Sequence, residues 1–165
     1  ATVCGVDISK IAVMSGAKRN QAISLAVAGV FDLPLKNETV DTVVNVFAPD
    51  ACAEFARVLK PNGVYLRVLP MENHLIELKR AVYDVAQLNP PAADAPQGFS
   101  RVQSTVISYS FTLKNQQEIS DLFCMTPYYY KTSRADQEKL KSLDKLTVTA
   151  QFAVQVLKKK KRVDL

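Results

Sequence analysis

The chain has 165 residues, 48% of them apolar and 22% charged, which is the balance of a soluble globular protein with a core of its own. No apolar run approaches the roughly 20 residues of a membrane-spanning helix, and the first residues lack the basic and apolar regions of a signal peptide. The composition therefore argues against a membrane or secreted protein and predicts one domain over residues 1–165, with no membrane partner.

Three cysteines, Cys4, Cys52 and Cys124, are widely spaced and lie in apolar surroundings. No C-x-x-C pair is present, so the spacing predicts neither a zinc site nor a disulfide framework. Unpaired cysteines suit a reducing compartment, and the expected location is the cytoplasm.

The net charge of +5 comes in part from a basic tail over residues 158–165. Such a tail either contacts nucleic acid or only solubilises the end of the chain. The tail alone favours neither reading.

Short apolar segments alternate with helical patterns in the first half of the chain. The predicted strands cover residues 2–6, 23–27, 40–47 and 64–69, and the predicted helices cover residues 10–18 and 50–59. Ser9 is the expected cap of the first helix, and a turn over residues 60–63 ends the second. This alternation predicts βαβ units and a parallel sheet covered on both faces.

The second half has a different order of elements. Predicted there are a helix over 74–88, a strand over 106–113, a helix through Phe123, a helix from Ser133 and a strand over 148–156. Leu75, Leu78, Val82 and Val85 form the apolar stripe of the first of these helices. Asn115 and Glu118 have the spacing of a capping box.

Three short segments recur in a familiar order. They are Gly5–Ser9 at the end of a strand, Asp32–Leu35 followed by Val40–Val44, and Arg57–Gly63 before a strand. Together they resemble the middle of the class I S-adenosylmethionine-dependent methyltransferases. The resemblance implies an α/β, Rossmann-like sheet, mostly parallel with an antiparallel C-terminal strand, and S-adenosylmethionine as cofactor.

Further segments resemble the bacterial 23S rRNA (guanine-N1) methyltransferases over nearly the whole chain. These segments are Val46–Pro49, His74–Lys79, Gly98–Phe99 and Met125–Tyr128. The resemblance implies methyl transfer to N1 of a guanine, with 23S rRNA as the partner.

Two features of that family are not found in the 165 residues: a four-cysteine zinc module and a first strand that ends in a glycine-rich turn. The chain is therefore interpreted as an N-terminally incomplete catalytic domain. In this fold the first strand lies between the strands that end at Asp7 and Phe47. Without it, we expect these strands to pair directly, to accept a strand from another copy, or to use residues outside the sequence.

The carboxyl ends of the strands that end near Asp7, Val27 and Phe47 are expected at one edge of the sheet, where open α/β sheets bind ligands. The predicted cofactor residues follow these strands: Asp7, Ile8, Gly29, Val30, Asn45 and Phe47. A carboxylate after the second strand can accept hydrogen bonds from ribose hydroxyls. An Asp before Ser9 is equally typical of a helix start.

The predicted substrate residues are Phe47, Pro49, His74 and Tyr128. Aromatic faces receive a base removed from its stack, although an aromatic residue at a strand end is also often buried. His74 is the sole histidine, and it is either a base for guanine N1 or a surface or capping residue. No catalytic residue is assigned and no metal ligand is expected.

The residues 128–131, Tyr-Tyr-Tyr-Lys, combine stacking and basic groups that suit RNA, and Arg19, Lys79 and Arg80 extend a basic face. Two other functions stay open: a methyltransferase of the same fold that acts on a small molecule, and a truncated fragment without activity. A homodimer is an additional expectation.

Overall fold

Strands and helices alternate through the first half of the chain, as described by a computed structural model of residues 1–160. The strands are Val3–Asp7 (β1), Ile23–Val27 (β2), Val40–Val46 (β3), Leu59–Pro70 (β4), Phe99–Leu113 (β5) and Leu146–Lys159 (β6). The helices are Lys10–Arg19 (α1), Cys52–Val58 (α2), Ile76–Val82 (α3), Gln116–Cys124 (α4) and Arg134–Glu138 (α5), with a 3-10 turn over Lys139–Ser142. The predicted α/β class is confirmed.

The described strands form two sheets. β1 and β2 pair in parallel, in a register from Val3 opposite Ile23 to Asp7 opposite Val27. The other sheet has the order β3-β4-β6-β5 and mixes parallel with antiparallel strands. Within residues 1–160, β1 and β3 belong to different sheets, so the direct pairing expected as one of three outcomes is not adopted.

The chain divides into two compact units. The first comprises Ala1–Arg67, Asp94–Gln103 and the described residues from Gln155 onward, and the second comprises Val68–Ala93 and Ser104–Val154. Each unit has a core of its own. The first core is formed by Leu33, Ala51, Phe55, Val58, Leu59, Tyr65, Phe99 and Leu157. The second is formed by Leu75, Leu78, Val82, Leu113, Ile119, Phe123, Leu140 and Val148.

The predicted helix starts are confirmed by their capping bonds. The Ser9 hydroxyl accepts from the Ala12 backbone N–H at 3.2 Å, and the Asn115 side chain accepts from the Glu118 N–H at 2.9 Å. Ser133 accepts from the Asp136 N–H at 3.1 Å. These bonds satisfy N–H groups that have no partner inside a helix.

The predicted turn over residues 60–63 is part of β4. Helix α2 ends one residue earlier than predicted, at Val58, and the chain is already extended at Leu59. Pro61 disfavours helical geometry at Lys60, which keeps the segment extended. A Cβ at Gly63 would lie 3.2 Å from the carbonyl oxygen of Asp41, so glycine permits the close approach of β4 to β3.

Helix α3 is half the predicted length. It ends at Val82, and Val85, predicted in its buried stripe, is 82% exposed. The Lys139 ammonium donates to the carbonyl of Val82 and to the Asp84 carboxylate, which stabilises the end of the helix. The stripe itself is confirmed for Leu75, Leu78 and Val82, which are all buried.

The two long strands of the second half also differ from the prediction. β6 buries Val148 and Ala150 as expected, but farther along it buries Ala153, Gln155 and Leu157, on the opposite alternation. Alternation predicts one buried face only, whereas β6 lies between two strands and contributes residues to both cores.

β5 begins seven residues earlier than predicted, at Phe99. It lies at the edge of its sheet, and most of its residues are exposed. Tyr109, near the middle of this strand, is 53% exposed. Of the predicted basic tail, Lys158 and Lys159 end β6, and residues 161–165 lie outside the described residues.

Candidate functional site

The end of β1 presents an exposed carboxylate. Asp7 lies opposite Val27 in the parallel pair, and its carbonyl accepts from the Ala28 N–H at 3.1 Å. Its Oδ1 accepts from the Ser9 N–H at 2.7 Å, so Asp7 does help to start helix α1. Its second oxygen, Oδ2, accepts no hydrogen bond from residues 1–160, and this exposed oxygen can accept from a ribose hydroxyl.

The segments that follow β1 and β2 in the sequence contain exposed apolar residues. Ile8 is 83% exposed, and a side chain at Gly29 would meet no atom within 4 Å. Val30 is half-buried and packs against the first core. Phe31, which the sequence reasoning passed over, is 68% exposed and offers an aromatic face in the same loop. An aromatic residue in the loop that follows a predicted strand end, four residues after Val27, was the available signal.

Phe47 leaves β3 in an unusual backbone conformation. Its φ is 59°, a value that costs an L-residue free energy, and its side chain is 51% exposed. Pro49, two residues farther, is also exposed. The predicted location of Phe47 at a strand end is confirmed, and the alternative that it is a core residue is not.

Asn45 is buried beneath this turn and contacts it with both ends of its amide. Its Nδ2 donates to the carbonyls of Ala48 and Pro49 at 3.1 and 3.3 Å and to the Tyr65 hydroxyl at 3.1 Å. Its Oδ1 accepts from the Ala48 N–H at 3.1 Å. Because these bonds use the side chain inside the protein, Asn45 supports the turn rather than offering a free group to a cofactor.

Two buried residues of β4 extend this contact. The Tyr65 hydroxyl donates to Oδ1 of Asp50 at 2.6 Å, and Arg67 forms an ion pair with Oδ2 of the same carboxylate. Burial, and then the Asp50 contact, raises the pKa of Tyr65 far above its ordinary value, so the hydroxyl stays protonated. The Arg67 guanidinium also donates to the carbonyl of Asp94 and to Gln155 Oε1.

The edge predicted from three strand ends is confirmed for two of them, since Asp7 and Val27 are paired. Val6 of β1 and Val43 of β3 both pack against the first core. That Phe47 lies at the same edge stays a prediction.

His74 belongs to the second unit. Its Nδ1 accepts from the Gln151 N–H at 3.2 Å, and its ring lies 4.8 Å from that of Phe152. Burial, assisted by the charge of Lys79, lowers the pKa of His74, so the ring is neutral at neutral pH. With Nδ1 accepting a hydrogen bond, the remaining ring nitrogen carries the proton and is a donor.

Tyr128 is also in the second unit and is half-buried against its core. The Lys79 ammonium lies 5.0 Å from the centre of its ring and donates to Asn89 Oδ1 at 2.7 Å. Asn89 Nδ2 donates in turn to the carbonyls of Met71 and His74. Asn89 thus supports the segment His74–Lys79 directly and reaches Tyr128 through the Lys79 ammonium. Sequence reasoning missed this role.

The predicted basic face needs one correction. Lys79 is only 7% exposed, and burial lowers its pKa, so its charge is directed at Asn89 and Tyr128 rather than at solvent. Arg19, Arg80 and Lys131 are exposed as expected. In the tyrosine segment the most exposed ring is that of Tyr130, at 85%, rather than that of Tyr128.

Two further kinds of site are not found in the described part of the chain. Within residues 1–160, no three His, Cys, Asp or Glu side chains are grouped as metal ligands. No helix of that region is both long and apolar enough to cross a bilayer.

Residues 1–66 match the family model described as a methyltransferase domain. The match contains β1 to β3, helix α2 and the start of β4, and with them Asp7, Gly29, Asn45 and Phe47.

The curated relatives carry one activity in their names. A Bacillus subtilis (strain 168) protein, YxjB, provisionally named a 23S rRNA (guanine-N(1)-)-methyltransferase, is 29% identical over 150 residues, which are 88% of this chain and 53% of that protein. The 23S rRNA (guanine(748)-N(1))-methyltransferase of Streptomyces fradiae is 42% identical over 78 residues, 47% of this chain and 28% of that enzyme. The chain thus spans about half, or less, of the length of these relatives.

Solved structures show the same fold at low identity. A provisionally named methyltransferase from Bacillus halodurans C-125 has a TM-score of 0.56 and 11% identity, over 94% of this chain and 81% of that one. Geranyl diphosphate methyltransferase in complex with SAM has a TM-score of 0.53 and 15% identity, over 97% and 69%. Residues 1–66 thus match the methyltransferase domain model, the solved structures share the fold, and the curated relatives named above are 23S rRNA (guanine-N1) methyltransferases.

Proposed function

We propose that the protein transfers a methyl group from S-adenosylmethionine to N1 of a guanine in 23S rRNA. The observation that carries this proposal is the extent of the similarity to the Bacillus subtilis relative. It covers 150 residues, whereas the methyltransferase domain model ends at residue 66. The similarity therefore extends into the second half of the chain, where general methyltransferase motifs do not explain it.

For the cofactor, the first unit offers a carboxylate and apolar surfaces. Asp7 Oδ2 would accept from the ribose hydroxyls, while the backbone at Gly29 and Val30 would face the adenine. Ile8 and Phe47 would cover the cofactor with apolar surface. When bound, S-adenosylmethionine supplies a methyl group on a positively charged sulfur, which is a good leaving group.

For the substrate, the chain offers aromatic faces and positioning rather than a strong base. Phe47 and Pro49 would hold the exposed guanine, and Tyr128 and the neighbouring tyrosines would contact RNA. His74 already accepts a hydrogen bond at Nδ1 and has a lowered pKa, so its protonated nitrogen suits donation to a base or phosphate better than proton removal. Holding donor and acceptor in line can supply much of the rate acceleration.

The test is methyl transfer by the protein, with the flanking sequence that its source encodes, to unmodified 23S rRNA transcribed in vitro. A methyl group at guanine N1 blocks Watson–Crick pairing, so reverse transcription should stop at one position. The matched variants are Asp7→Asn, expected to lose activity through cofactor binding, and Asp41→Asn, an exposed aspartate expected to retain it.

A labelled methyl group that appears only on small molecules added in place of RNA would support the other function left open, a small-molecule methyltransferase. Methylation of a guanine in the RNA at an atom other than N1 would contradict only the proposed position of the methyl group. The association with RNA and the expected homodimer are measured in the same samples by sedimentation.

A further inference from the structure

We propose that Asn45, Tyr65, Asp50 and Arg67 form a positioning network that holds the ring of Phe47 outward as a stacking face for the target base. The proposal rests on the proposed function for the identity of that base. We call residues 47–50 the Phe47 loop and these four residues the loop network.

The first step concerns the backbone of Phe47. A non-glycine residue at φ 59° costs free energy and persists only where its surroundings determine it. Burial of the ring does not explain the conformation, because the side chain is 51% exposed. The strained conformation instead occurs where the chain leaves β3 and carries an aromatic ring that is half exposed.

The second step concerns the bonds that determine this turn. Asn45 contacts Ala48 through both its N–H and its carbonyl and contacts the carbonyl of Pro49 as well. These are the backbone groups directly after Phe47. Asn45 therefore fixes the residues that follow the strained position, and Tyr65 accepts from the same amide.

The third step concerns the other end of the loop. Both oxygens of Asp50 are engaged, one by the Tyr65 hydroxyl and one by Arg67. Tyr65 is completely buried and Arg67 is 5% exposed. Arg67 Nε is buried without a hydrogen-bond partner among residues 1–160, so the guanidinium is held at a cost in desolvation.

A buried ion pair is a weak source of stability, since apolar residues of similar volume often serve as well or better. A network that includes one is better explained by the geometry that it imposes. Here the geometry imposed is that of the Phe47 loop, because every member of the network contacts the loop or another member.

The loop is tested first without RNA. The sequence contains no tryptophan, so Phe47→Trp in the 165-residue chain places a single reporter at the loop. The network predicts high fluorescence anisotropy at this position, and Tyr65→Phe or Asp50→Asn in the same background should lower it. Tyr109→Phe and Asp41→Asn, which alter exposed residues elsewhere, are the matched controls and should not. Equal anisotropy in all five proteins would overturn the proposal.

Stacking is tested next with guanosine monophosphate and a guanine-containing RNA oligonucleotide. Each should quench the fluorescence of the Phe47→Trp reporter more than the corresponding uridine ligand does. The quenching by the guanine ligands should be weaker when Tyr65→Phe or Asp50→Asn is added to the reporter protein. Quenching that is absent, or insensitive to the network, would contradict the stacking role.

Catalysis is tested in the protein used for the methyl-transfer assay, with rates normalised to the folded fraction. Loss of one or two positioning hydrogen bonds should lower kcat/KM for RNA about tenfold while KM for S-adenosylmethionine changes less than about twofold. A loss that disappears on normalisation would show a structural role only. A loss that follows the affinity for the cofactor would show that the network positions Phe47 against the cofactor and not against the target base, and either result would overturn the proposal. If the wild-type protein does not methylate RNA, the proposed function fails, whereas the anisotropy measurements still decide whether the network orders the loop.

Discussion

Two aspartates of the first unit are distinguished by what their oxygens contact. Asp50 uses both oxygens inside the protein, on Tyr65 and Arg67. Asp7 uses one oxygen on the Ser9 N–H and leaves Oδ2 exposed. Asp7 is therefore the carboxylate that can bind a ligand, and Asp50 is the one that shapes a loop.

In the protein used for the methyl-transfer assay, Asp7→Ala should weaken S-adenosylmethionine binding by about 1.5–3 kcal/mol, the range for hydrogen bonds to a charged group. The free energy of unfolding should change much less, because the one side-chain hydrogen bond of Asp7 within residues 1–160 is an exposed one from the Ser9 N–H. Calorimetric titration measures the first quantity and thermal unfolding the second. Unchanged affinity would reduce Asp7 to a residue that starts helix α1.

His74 predicts a pH dependence of stability. Burial and Lys79 lower its pKa in the folded state below the ordinary 6.5, so the unfolded chain binds a proton more readily than the folded one. Above pH 6.5 the ring is neutral in both states, and the free energy of unfolding is not reduced by His74. As the pH falls through 6.5 toward the pKa in the folded state, the unfolded chain takes up the proton first and the free energy of unfolding decreases. Between about pH 7.5 and pH 5.5 the wild type should lose more stability than His74→Gln, which retains an acceptor but cannot titrate in this range.

Urea unfolding at several pH values measures this difference. The carboxylates with lowered pKa values in the same unit, Glu77 and Asp136, titrate below their ordinary 4.5 and 3.8 and so act at lower pH. Parallel pH profiles for the wild type and His74→Gln would contradict the prediction.

At the residue scale, candidate site residues at strand ends were predictable from the sequence, whereas the buried residues that contact the loops around them were not. Asp7 and Phe47 follow from short local patterns. Tyr65 and Arg67 lie 15 and 17 residues from Asp50 in the chain, and Gln155 lies 88 residues from Arg67. Contacts at such separations depend on how strands are ordered in a sheet, which no local pattern encodes.

At the scale of elements, helix α2 fixes the loop that precedes β3. The Arg57 guanidinium donates to the carbonyls of Leu33 and Leu35 and to the Glu54 carboxylate. Glu54 in turn accepts from the Leu33 N–H at 2.7 Å. Residues 32–35 and 57–63, two separate motifs in the sequence, are thus connected in the structure through Arg57 and its partner Glu54.

Arg57→Met should clearly lower the free energy of unfolding, because it leaves two carbonyls and a carboxylate without their charged donor. Arg101→Met is the matched control, since within the described residues the Arg101 side chain makes only an exposed contact of 3.8 Å to Asp94, which should contribute less than about 1 kcal/mol. Chemical unfolding of both variants at neutral pH measures the difference.

The same variant has a pH signature. Hydrogen bonds from Arg57, and then from the Leu33 backbone, lower the pKa of Glu54 to about 2 from an ordinary 4.5. A lowered carboxylate pKa stabilises the fold above pH 4.5, and that stabilisation is lost as the pH falls toward 2. The difference in free energy of unfolding between wild type and Arg57→Met should decrease as the pH falls over this range. A constant difference would show that the Glu54 carboxylate is not the partner through which Arg57 stabilises the fold.

The ends of elements were predictable where a local group sets them and not where a distant one does. Ser9, Asn115 and Ser133 mark helix starts by their own side chains, and all three were found from the sequence. Helix α3 ends where Lys139, 57 residues away, donates to the Val82 carbonyl. The apolar stripe through Val85 continues past that point, so periodicity alone overestimated the helix.

At the scale of the whole molecule, the strand order has a break. The pair β1-β2 and the sheet β3-β4-β6-β5 are separate in the described chain. That a further strand belongs between β1 and β3 stays a prediction. Apolar residues on the same elements are exposed among residues 1–160: Val3 at 50%, Ile11 at 78%, Met14 at 51%, Val44 at 60% and Val46 at 55%. Helix α1, though well capped, has no buried residue among those described.

The alternation of strands and helices was sufficient to predict the α/β class, because periodicity and helix caps are local. It was not sufficient for the two cores, since the burial of β6 changes from one alternation to the other between Ala150 and Ala153. A strand that serves two cores cannot be recognised from a single alternating pattern.

These features lead to a prediction about the 165-residue chain itself. A cofactor held by Asp7 and Phe47 needs the ends of β1 and β3 in a fixed relation, and no hydrogen-bonded strand within residues 1–160 connects them. The sequence also lacks the glycine-rich turn that would approach the methionine part of the cofactor. A polypeptide of these 165 residues alone should therefore bind S-adenosylmethionine very weakly or not at all. Calorimetry on that polypeptide, alongside the protein with its natural flanking sequence as control, measures this, and tight stoichiometric binding by the 165 residues would show that a strand between β1 and β3 is not required.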